Sequence, residues 1–447
     1  MGYRSIARNY FLPITIACIH SILQFIDFPI LRIDGYWQLP SKECWYNHPF
    51  QALITLNGTS PALALFHSAL THLGNDDPYP LYAVFLPMLH AIGCYLFLSI
   101  LSAMRLRYRN IWAALFFLNP LVFAYFRYPF YSTYLFFLSL VLLYSLWVVK
   151  NRNGRLLSVS MTIALASAVR PSWHLGLAIF WVGWLAWHER KKLSRAPVIT
   201  AFFILLFPFG LYLKNFILFD SFSASSWLGM NLARSRLITL DSNEHKNLAP
   251  FQLPTTLYRG IYSEDDPLVS RYSETICLNE DDYHNVRFIE VSRKYLSKVK
   301  ETTNIQQSFK LLKFGIKVYL SSPSNYPFLL PQFEAIPESL RKYPGLDWFA
   351  AVDMGSFDKN LYRIVYPISL LLLLLRFSSL SYKVRIIVLH TFSMTILYSF
   401  IDPFEANRMR FELEPFWYLC FLFSFIRIKT YVDRGIKTIR SKLAREN

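Results

Sequence analysis

Long apolar runs alternate with short clusters of Lys and Arg along most of this chain of 447 residues. A run of about 17 to 25 residues has the length that a helix needs to cross a bilayer. Charged residues make up 17% of the chain, whereas they make up about a quarter of an average soluble protein. The pattern therefore predicts an all-α polytopic membrane protein. We expect about ten spans, at residues 10–30, 80–103, 111–126, 129–149, 156–169, 173–187, 197–219, 361–377, 386–401 and 415–428.

The basic clusters orient these spans, because Lys and Arg concentrate in short cytoplasmic loops. The clusters lie at residues 4–8, 105–109, 150–155, 190–195 and 383–385 and in the tail after residue 428. All of them fall on one side of the membrane if both termini are cytoplasmic. We expect this orientation, in a bacterial inner membrane or in the endoplasmic reticulum. The formal net charge of +17 is then explained by basic residues in the cytoplasmic loops and tail. We therefore do not expect nucleic acid as a partner.

The opposite side of the membrane receives two long segments. We predict that residues 1–219 form an N-terminal transmembrane module, with a first extracytoplasmic loop at 31–79. Residues 220–360 are too long for a simple connection and are expected to form an extracytoplasmic loop subdomain. Within it, apolar positions among charged ones predict one or two amphipathic helices at 286–317. Residues 361–447 are expected to form a C-terminal transmembrane module and a basic cytoplasmic tail.

Five cysteines are spread along the chain without the spacing of a zinc site. Cys44 and Cys277 alone fall in predicted extracytoplasmic loops, which permits one disulfide bond and does not require it. The first loop also contains Asn57-Gly58-Thr59, a sequon for N-glycosylation in a eukaryotic protein. Such a tripeptide often arises by chance, so it decides nothing by itself.

Four arginines lie in short extracytoplasmic connections, where the charge rule predicts few cations. They are Arg127, Arg170, Arg408 and Arg410. Because the guanidinium group presents a fork of donors that suits a phosphate oxyanion, we assign them to the phosphate of a lipid-linked donor. Two alternatives stay open: the side chains snorkel to anionic headgroups, or they pair with internal carboxylates. The carboxylates for such pairing are Asp34, Glu405, Glu412 and Glu414.

Asp34 opens the first loop, shortly after the first apolar run. A carboxylate at a membrane boundary is costly and suggests a functional site. Nearby cations would keep it ionised, so that it accepts a proton from the hydroxyl or amine of an acceptor. We therefore predict Asp34 as a general base. The structural alternatives are a helix-end cap and an ion pair with Arg32.

Polar and aromatic residues cluster at 221–231, where the second long segment begins. Hydroxyl groups, an amide and an indole near a helix end are groups that line sugar or pyrophosphate pockets. The alternative is a capped amphipathic helix that lies on the membrane. The candidate substrate contacts are Glu43, Trp227, Asn231 and Arg234, with Glu43 as the weaker second carboxylate.

These features together resemble the GT-C superfamily of polytopic glycosyltransferases, which includes protein O-mannosyltransferases and the aminoarabinose and arabinosyl transferases of bacteria. The resemblance rests on a short basic N-terminus, on a first helix followed by a long extracytoplasmic loop that starts with an acidic residue, and on two motifs. The motifs are Gly58-Thr59-Ser60-Pro61-Ala62-Leu63 and Asn407-Arg408-Met409-Arg410-Phe411-Glu412-Leu413-Glu414-Pro415. By position, Asp34 corresponds to the catalytic acidic residue of the family, whose adjacent Asp-Glu pair is absent here.

The resemblance implies inverting or retaining transfer of a sugar from a polyprenyl phosphate to an acceptor on the extracytoplasmic face. The expected partners are membrane lipid, the lipid-linked sugar donor as co-substrate, and a glycan, lipid or protein acceptor. No cofactor is obligatory in this scheme, and no divalent metal is indicated. Two other functions stay open: a transporter or flippase of a phosphate-bearing lipid or sugar, and a non-catalytic membrane scaffold subunit.

Overall fold

Helices joined by short turns make up the part of the chain that the structure describes, and this part contains no β-strand. The structure is a computed structural model. It describes residues 3–25, 30–33, 39, 42–229, 231–232, 267–272, 275–279, 286–302, 304–321, 361–401 and 406–446. For these residues the prediction of an all-α protein is confirmed.

The apolar runs and the breaks between them decide where the helices begin and end. Up to residue 232 the helices are α1 (Tyr3–Phe25), α2 (Lys42–Asn47), α3 (Pro49–Thr55), α4 (Pro61–Leu73), α5 (Tyr79–Ala103), α6 (Arg109–Phe117), α7 (Pro120–Tyr125), α8 (Tyr131–Trp147), α9 (Arg152–Val169), α10 (Leu175–Glu189) and α11 (Arg195–Phe219). A proline lies in the first turn of α3, α4, α5 and α7, where its missing N–H would have no helical partner.

The remaining described helices follow the long second segment or lie within it. They are α12 (Pro267–Tyr272), α13 (Ile276–Asn279), α14 (Val286–Thr302), α15 (Ile305–Tyr319), α16 (Tyr366–Leu375), α17 (Tyr382–Ile401), α18 (Ala406–Phe411) and α19 (Glu414–Glu446). A π-helical turn, Leu361–Val365, leads into α16. α19 passes without a break through the predicted span 415–428 into the basic tail.

The predicted span 111–126 is not one helix. α6 ends at Phe117, and α7 begins at Pro120. The side chain of Asn119 caps α7 by accepting a hydrogen bond from the Leu121 N–H at 2.9 Å. Proline has no N–H with which to continue the helical hydrogen bonds of the preceding turn. The prediction of a continuous helix here is therefore wrong.

Three of the described helices, α5, α11 and α17, are long and apolar enough to cross a membrane. Shorter apolar helices lie at Tyr10–Gln24, Tyr131–Trp147 and Leu361–Leu375. α11 leaves Phe202, Phe203 and Ile217 largely exposed, and an apolar helix with such a surface requires an apolar solvent. These helices indicate association with a membrane. The number of ten spans is not confirmed, because most other predicted ranges form helices that are shorter or begin with charged residues.

The interior is built around α8 and α9. α8 lies between α5 and α9, and α9 also packs against α10 and α11. Near the C-terminus, α16 packs against α19 and α15 packs against α17. Aromatic side chains fill the space between them, and Tyr125 stacks on Phe411 with ring centroids 3.6 Å apart. Because Tyr125 ends α7 and Phe411 ends α18, this stack holds the short helix α18 in place.

The prediction of one or two amphipathic helices at 286–317 is confirmed, as the two helices α14 and α15. Asn304 starts α15, because its side chain accepts a hydrogen bond from the Gln307 N–H at 2.8 Å. α15 approaches α17 so closely that a Cβ atom on Gly315 would lie 1.8 Å from the carbonyl oxygen of Ser399. The contact between these two helices therefore requires glycine at this position.

A disulfide bond joins Cys44 in α2 to Cys277 in α13, with Cα atoms 5.4 Å apart. The sequence left this pairing open, and the structure makes it. The bond is surrounded by Trp45, Ala52 and Ala64, which are buried with the two cysteines. It ties the first loop to a part of the chain that lies 233 residues further along.

Candidate functional site

A cavity of about 290 Å³ lies where six parts of the chain converge. They are the first loop at Gly58 and Thr59, the start of α8, the turn between α9 and α10, α11 with the segment that follows it, the C-terminal end of α17, and α18. Its volume is near the lower end of the range of small-molecule sites, about 300 to 1,000 Å³. Arg170 and Arg408 both line it, so two arginines that the charge rule singled out meet at one place.

Arg170 follows the last residue of α9 and reaches the cavity from an extended backbone. Its side chain is 7% exposed and forms an ion pair with Glu412, which is fully buried. Glu412 also accepts a hydrogen bond from the Tyr398 hydroxyl at 2.7 Å and another from Ser132 at 3.4 Å. The carboxylate thus fixes the guanidinium group in position, as charge-assisted hydrogen bonds do.

Arg408 enters the cavity from α18 with a side chain that is 1% exposed. Its guanidinium carbon lies 5.0 Å from the centre of the Tyr131 ring and 5.2 Å from that of Phe130. The guanidinium carbon of Arg170 lies 4.3 Å from the same Tyr131 ring. Because aromatic faces attract cations, Tyr131 holds the two guanidinium groups near each other.

Another part of the lining comes from the segment after α11, where Ser225, Trp227 and Asn231 line the cavity. Ser226 anchors this segment to the first loop, because its N–H donates to the Asn57 carbonyl and its hydroxyl to the Asn57 side-chain oxygen, both at 2.8 Å. Two of the predicted substrate contacts, Trp227 and Asn231, thus lie at the cavity.

The motif that begins at Gly58 also contributes to the lining of the cavity. Gly58 and Thr59 line it, and Pro61 begins α4. The Ser60 hydroxyl donates to the carbonyl oxygen of Ser167 near the end of α9 at 2.8 Å. Asn57 itself is 1% exposed, so the folded chain leaves no room for a glycan on the sequon.

His174 also lines the cavity, in the turn between α9 and α10. Its Nδ1 accepts a hydrogen bond from the Leu177 N–H at 3.3 Å and so caps α10. With Nδ1 as the acceptor, Nε2 is the ring nitrogen that is left to donate a hydrogen bond.

Arg127 and Arg410 do not line the cavity. Arg127 is buried and donates to the side-chain oxygen of Gln24 at 2.6 Å. Arg410 donates to Glu414 and to the Tyr319 carbonyl oxygen, both at 3.1 Å. The structure therefore brings together two of the four predicted arginines. Arg410 pairs with an internal carboxylate, that of Glu414, as the second alternative had it. Arg170 also does so, with Glu412, although it lines the cavity.

Asp34 and Arg234 lie outside the described residues. Next to Asp34, the Ile33 N–H donates to the Tyr79 hydroxyl at 2.5 Å, and Arg32 lies 3.8 Å from Asp77. Glu43 is exposed on α2 beside the disulfide and does not line the cavity.

The polar lining residues that the sequence did not single out include Tyr131, Ser172, His174, Tyr212 and Tyr398. For Ser172 and His174 the available signal is the polar, turn-forming run Pro171-Ser172-Trp173-His174 directly after Arg170. Among the described residues, no group of three or more His, Cys, Asp or Glu side chains is arranged to hold a metal ion. Comparison of the chain with models of protein families, with curated proteins and with solved structures finds no match.

Proposed function

We propose that this chain is an integral-membrane glycosyltransferase, which moves a sugar from a polyprenyl-phosphate-linked donor to a lipid, glycan or protein acceptor on the extracytoplasmic face. The observation that carries the proposal is the position of Arg170 and Arg408 in one cavity at the ends of apolar helices. Guanidinium groups bind phosphate oxygens through paired hydrogen bonds. The cavity therefore suits the phosphate of a donor that stays anchored in lipid.

The apolar part of such a donor has a surface to lie on. Tyr212 and Phe222 line the cavity and lie 5.3 Å apart, measured between ring centres. Phe222 also contacts Phe209 and Phe216 on α11, both of which are exposed. An exposed apolar face thus continues from the cavity along α11, in the direction that a polyprenyl chain in the bilayer would take.

The sugar would occupy the wall formed after α11. Trp227 supplies an aromatic ring, and Asn231, Ser223 and Ser225 supply polar groups close to the arginines. His174 adds a donor on Nε2. A few polar groups among apolar ones are the usual means of orienting a ligand in a pocket.

The proposed reaction is a direct displacement at the anomeric carbon. The acceptor oxygen or nitrogen forms a bond to this carbon while the bond from the carbon to the phosphate oxygen breaks. Asp34 takes the proton of the acceptor as general base, and the electron pair of the broken bond leaves with the polyprenyl phosphate. Arg170 and Arg408 stabilise the charge of the leaving phosphate. Arg127 and Arg410 have structural roles in this scheme.

The proposed topology has ten spans, cytoplasmic termini and the cavity on the extracytoplasmic side. Each of the ten predicted ranges contains a helix or a helix pair. The disulfide between Cys44 and Cys277 supports an oxidising environment for the first loop and for α13. Such an environment exists on the extracytoplasmic side of a bacterial inner membrane and in the lumen of the endoplasmic reticulum.

The test is transfer from a radiolabelled polyprenyl-phosphate sugar by the purified full chain in liposomes. We expect Asp34→Asn to abolish transfer while the protein stays folded in the membrane. Asp433→Asn, an exposed carboxylate on α19, is the matched control and should keep wild-type transfer. Near-normal turnover by the Asp34 variant would overturn the assignment of the base.

The same preparation separates the other two functions. Uptake of the phosphorylated sugar into the vesicles, without any transfer, would replace the proposal by a transporter or flippase. If neither transfer nor uptake is seen and another protein co-purifies stably with the chain, the chain is a scaffold subunit and not a glycosyltransferase.

A further inference from the structure

A second pocket lies at the other ends of the helices that carry the cavity. Its volume is about 690 Å³, and its residues come from the start of α9, the end of α10 and the start of α17. Along α9, Arg155 lies in this pocket and Arg170 in the cavity, which places them about 22 Å apart at 1.5 Å per residue. The two sites therefore lie near opposite ends of α9.

The floor of the second pocket is a buried ion pair between Arg155 and Glu189, which are 9% and 6% exposed. Arg155 also donates to the Val149 carbonyl oxygen through Nε at 3.0 Å and through Nη2 at 2.8 Å. The Tyr382 hydroxyl donates to Glu189 at 2.5 Å. These contacts join α9, α10 and α17 at the base of the pocket. They also occupy the carboxylate of Glu189 with hydrogen bonds from Arg155 and Tyr382.

The rim above this base is strongly basic. Six further cations line the pocket: Lys150, Arg152, Arg190, Lys191, Lys192 and Lys383. Glu189 is the one acidic residue among its described lining residues. The cations come from three separate segments, and the fold places all of them around this one pocket. Orientation of the protein in a membrane requires only that basic residues lie on the same side, so their convergence needs a further cause.

The rim also carries aromatic side chains of the kind found at the boundary between membrane and water. Trp187 is exposed, and the Arg190 guanidinium carbon lies 4.2 Å from the centre of its ring. Lys383 Nζ lies 5.3 Å from the ring of Trp147. Tryptophan is enriched at the level of lipid headgroups, so the pocket lies where a headgroup can enter.

We propose that this pocket binds the phosphate of an anionic ligand, supplied by the headgroup of a membrane phospholipid. Basic pockets between membrane helices bind anionic headgroups through the same combination of fixed cations and nearby apolar surface. A soluble polyphosphate has the same chemistry without the acyl chains. The proposal does not depend on sugar transfer at the other end of the bundle.

The test compares two triple variants of the full chain. The first, Arg190→Gln with Lys191→Gln and Lys192→Gln, removes exposed charges of the rim without touching the ion pair below. The second, Lys429→Gln with Arg434→Gln and Lys437→Gln, removes as many exposed charges from α19. Both sets lie at the same end of the bundle, because Arg427 of α19 donates to the Ser379 hydroxyl just before α17 at 3.1 Å.

Each protein is reconstituted in nanodiscs of phosphatidylcholine with and without phosphatidylserine, and the bound lipid is measured by native mass spectrometry. We expect the wild type and the α19 variant to retain phosphatidylserine, and the rim variant to bind it about tenfold or more weakly. Equal retention by both triple variants would overturn the proposal. Binding of inorganic pyrophosphate to the same proteins in detergent tests whether a soluble phosphate is the ligand instead. If it binds with the same dependence on the rim while phosphatidylserine does not, the ligand is a soluble phosphate and the lipid source is wrong.

Discussion

Arg170 and Glu412 form a buried ion pair across 242 residues of sequence, and Arg170 of this pair lines the cavity. Glu412 lies shortly before α19, and Arg170 directly follows α9. Tyr398 of α17 donates to the same carboxylate. One carboxylate therefore joins three parts of the chain that must be correctly placed for the cavity to exist.

Replacing Glu412 by Gln tests this relationship. The amide keeps the shape of the side chain but leaves the Arg170 charge buried without its counter-charge, so we expect a loss of about 3 to 5 kcal/mol in the free energy of unfolding. Thermal unfolding of the purified protein in detergent measures the effect. Tyr398→Phe removes one hydrogen bond to the same carboxylate and should cost less, about 1.5 to 3 kcal/mol. A Glu412→Gln protein as stable as the wild type would show that the ion pair does not hold the cavity together.

Arg408 and Arg410 lie two residues apart, yet the structure predicts opposite effects for them. Arg408 lines the cavity, whereas Arg410 is bonded to Glu414 and to the Tyr319 carbonyl oxygen. Arg408→Gln should lower kcat/KM for sugar transfer by about a hundredfold or more, because it removes a donor to the leaving phosphate. Arg410→Gln should lower the unfolding temperature more than it lowers the activity of the protein that stays folded.

Arg408→Lys serves as the control for this pair, because it keeps the charge and loses the fork of donors. It should recover part of the lost transfer. If both glutamine variants lose activity and stability in the same proportion, neither arginine has a specific role at the phosphate.

The helices and the two cavity arginines could be predicted from the sequence for separate physical reasons. Apolar runs between basic clusters are long-range patterns, and they gave the position of α5, α11 and α17. The rule for charges in loops made Arg170 and Arg408 conspicuous. The break at Pro120 is a local effect that the average apolarity of 111–126 concealed.

Other features depend on which residues, far apart in the sequence, come close together in the fold, and one sequence does not show this. The choice of Glu412 as the partner of Arg170, and of Cys277 as the partner of Cys44, follows from how α9, α18 and α13 pack. The separation of Arg127 and Arg410 from the cavity has the same origin. His174 was overlooked because its role comes from a turn, and ten histidines are spread along the chain.

Gly229 should tolerate no side chain. A Cβ atom there would lie 1.8 Å from the Ser292 carbonyl oxygen, and the Gly229 N–H donates to the Ser292 hydroxyl at 3.0 Å. Gly229→Ala must push α14 away from the cavity wall next to Leu228, so we expect a loss of about 1 to 3 kcal/mol in the free energy of unfolding. Gly183→Ala is the matched control, because a Cβ atom there meets nothing within 4 Å. Equal unfolding temperatures for the two variants would contradict the close contact.

The sequon at Asn57 should carry no glycan when the chain is made in a eukaryotic cell. Asn57 is buried, and its side-chain oxygen accepts a hydrogen bond from the Ser226 hydroxyl. Treatment with an N-glycosidase should leave the electrophoretic mobility of the protein unchanged. Thr59→Ala removes the sequon while keeping Asn57, and it should have the same mobility as the wild type. A shift that disappears in the Thr59 variant would mean that Asn57 is modified before the first loop packs against Ser226.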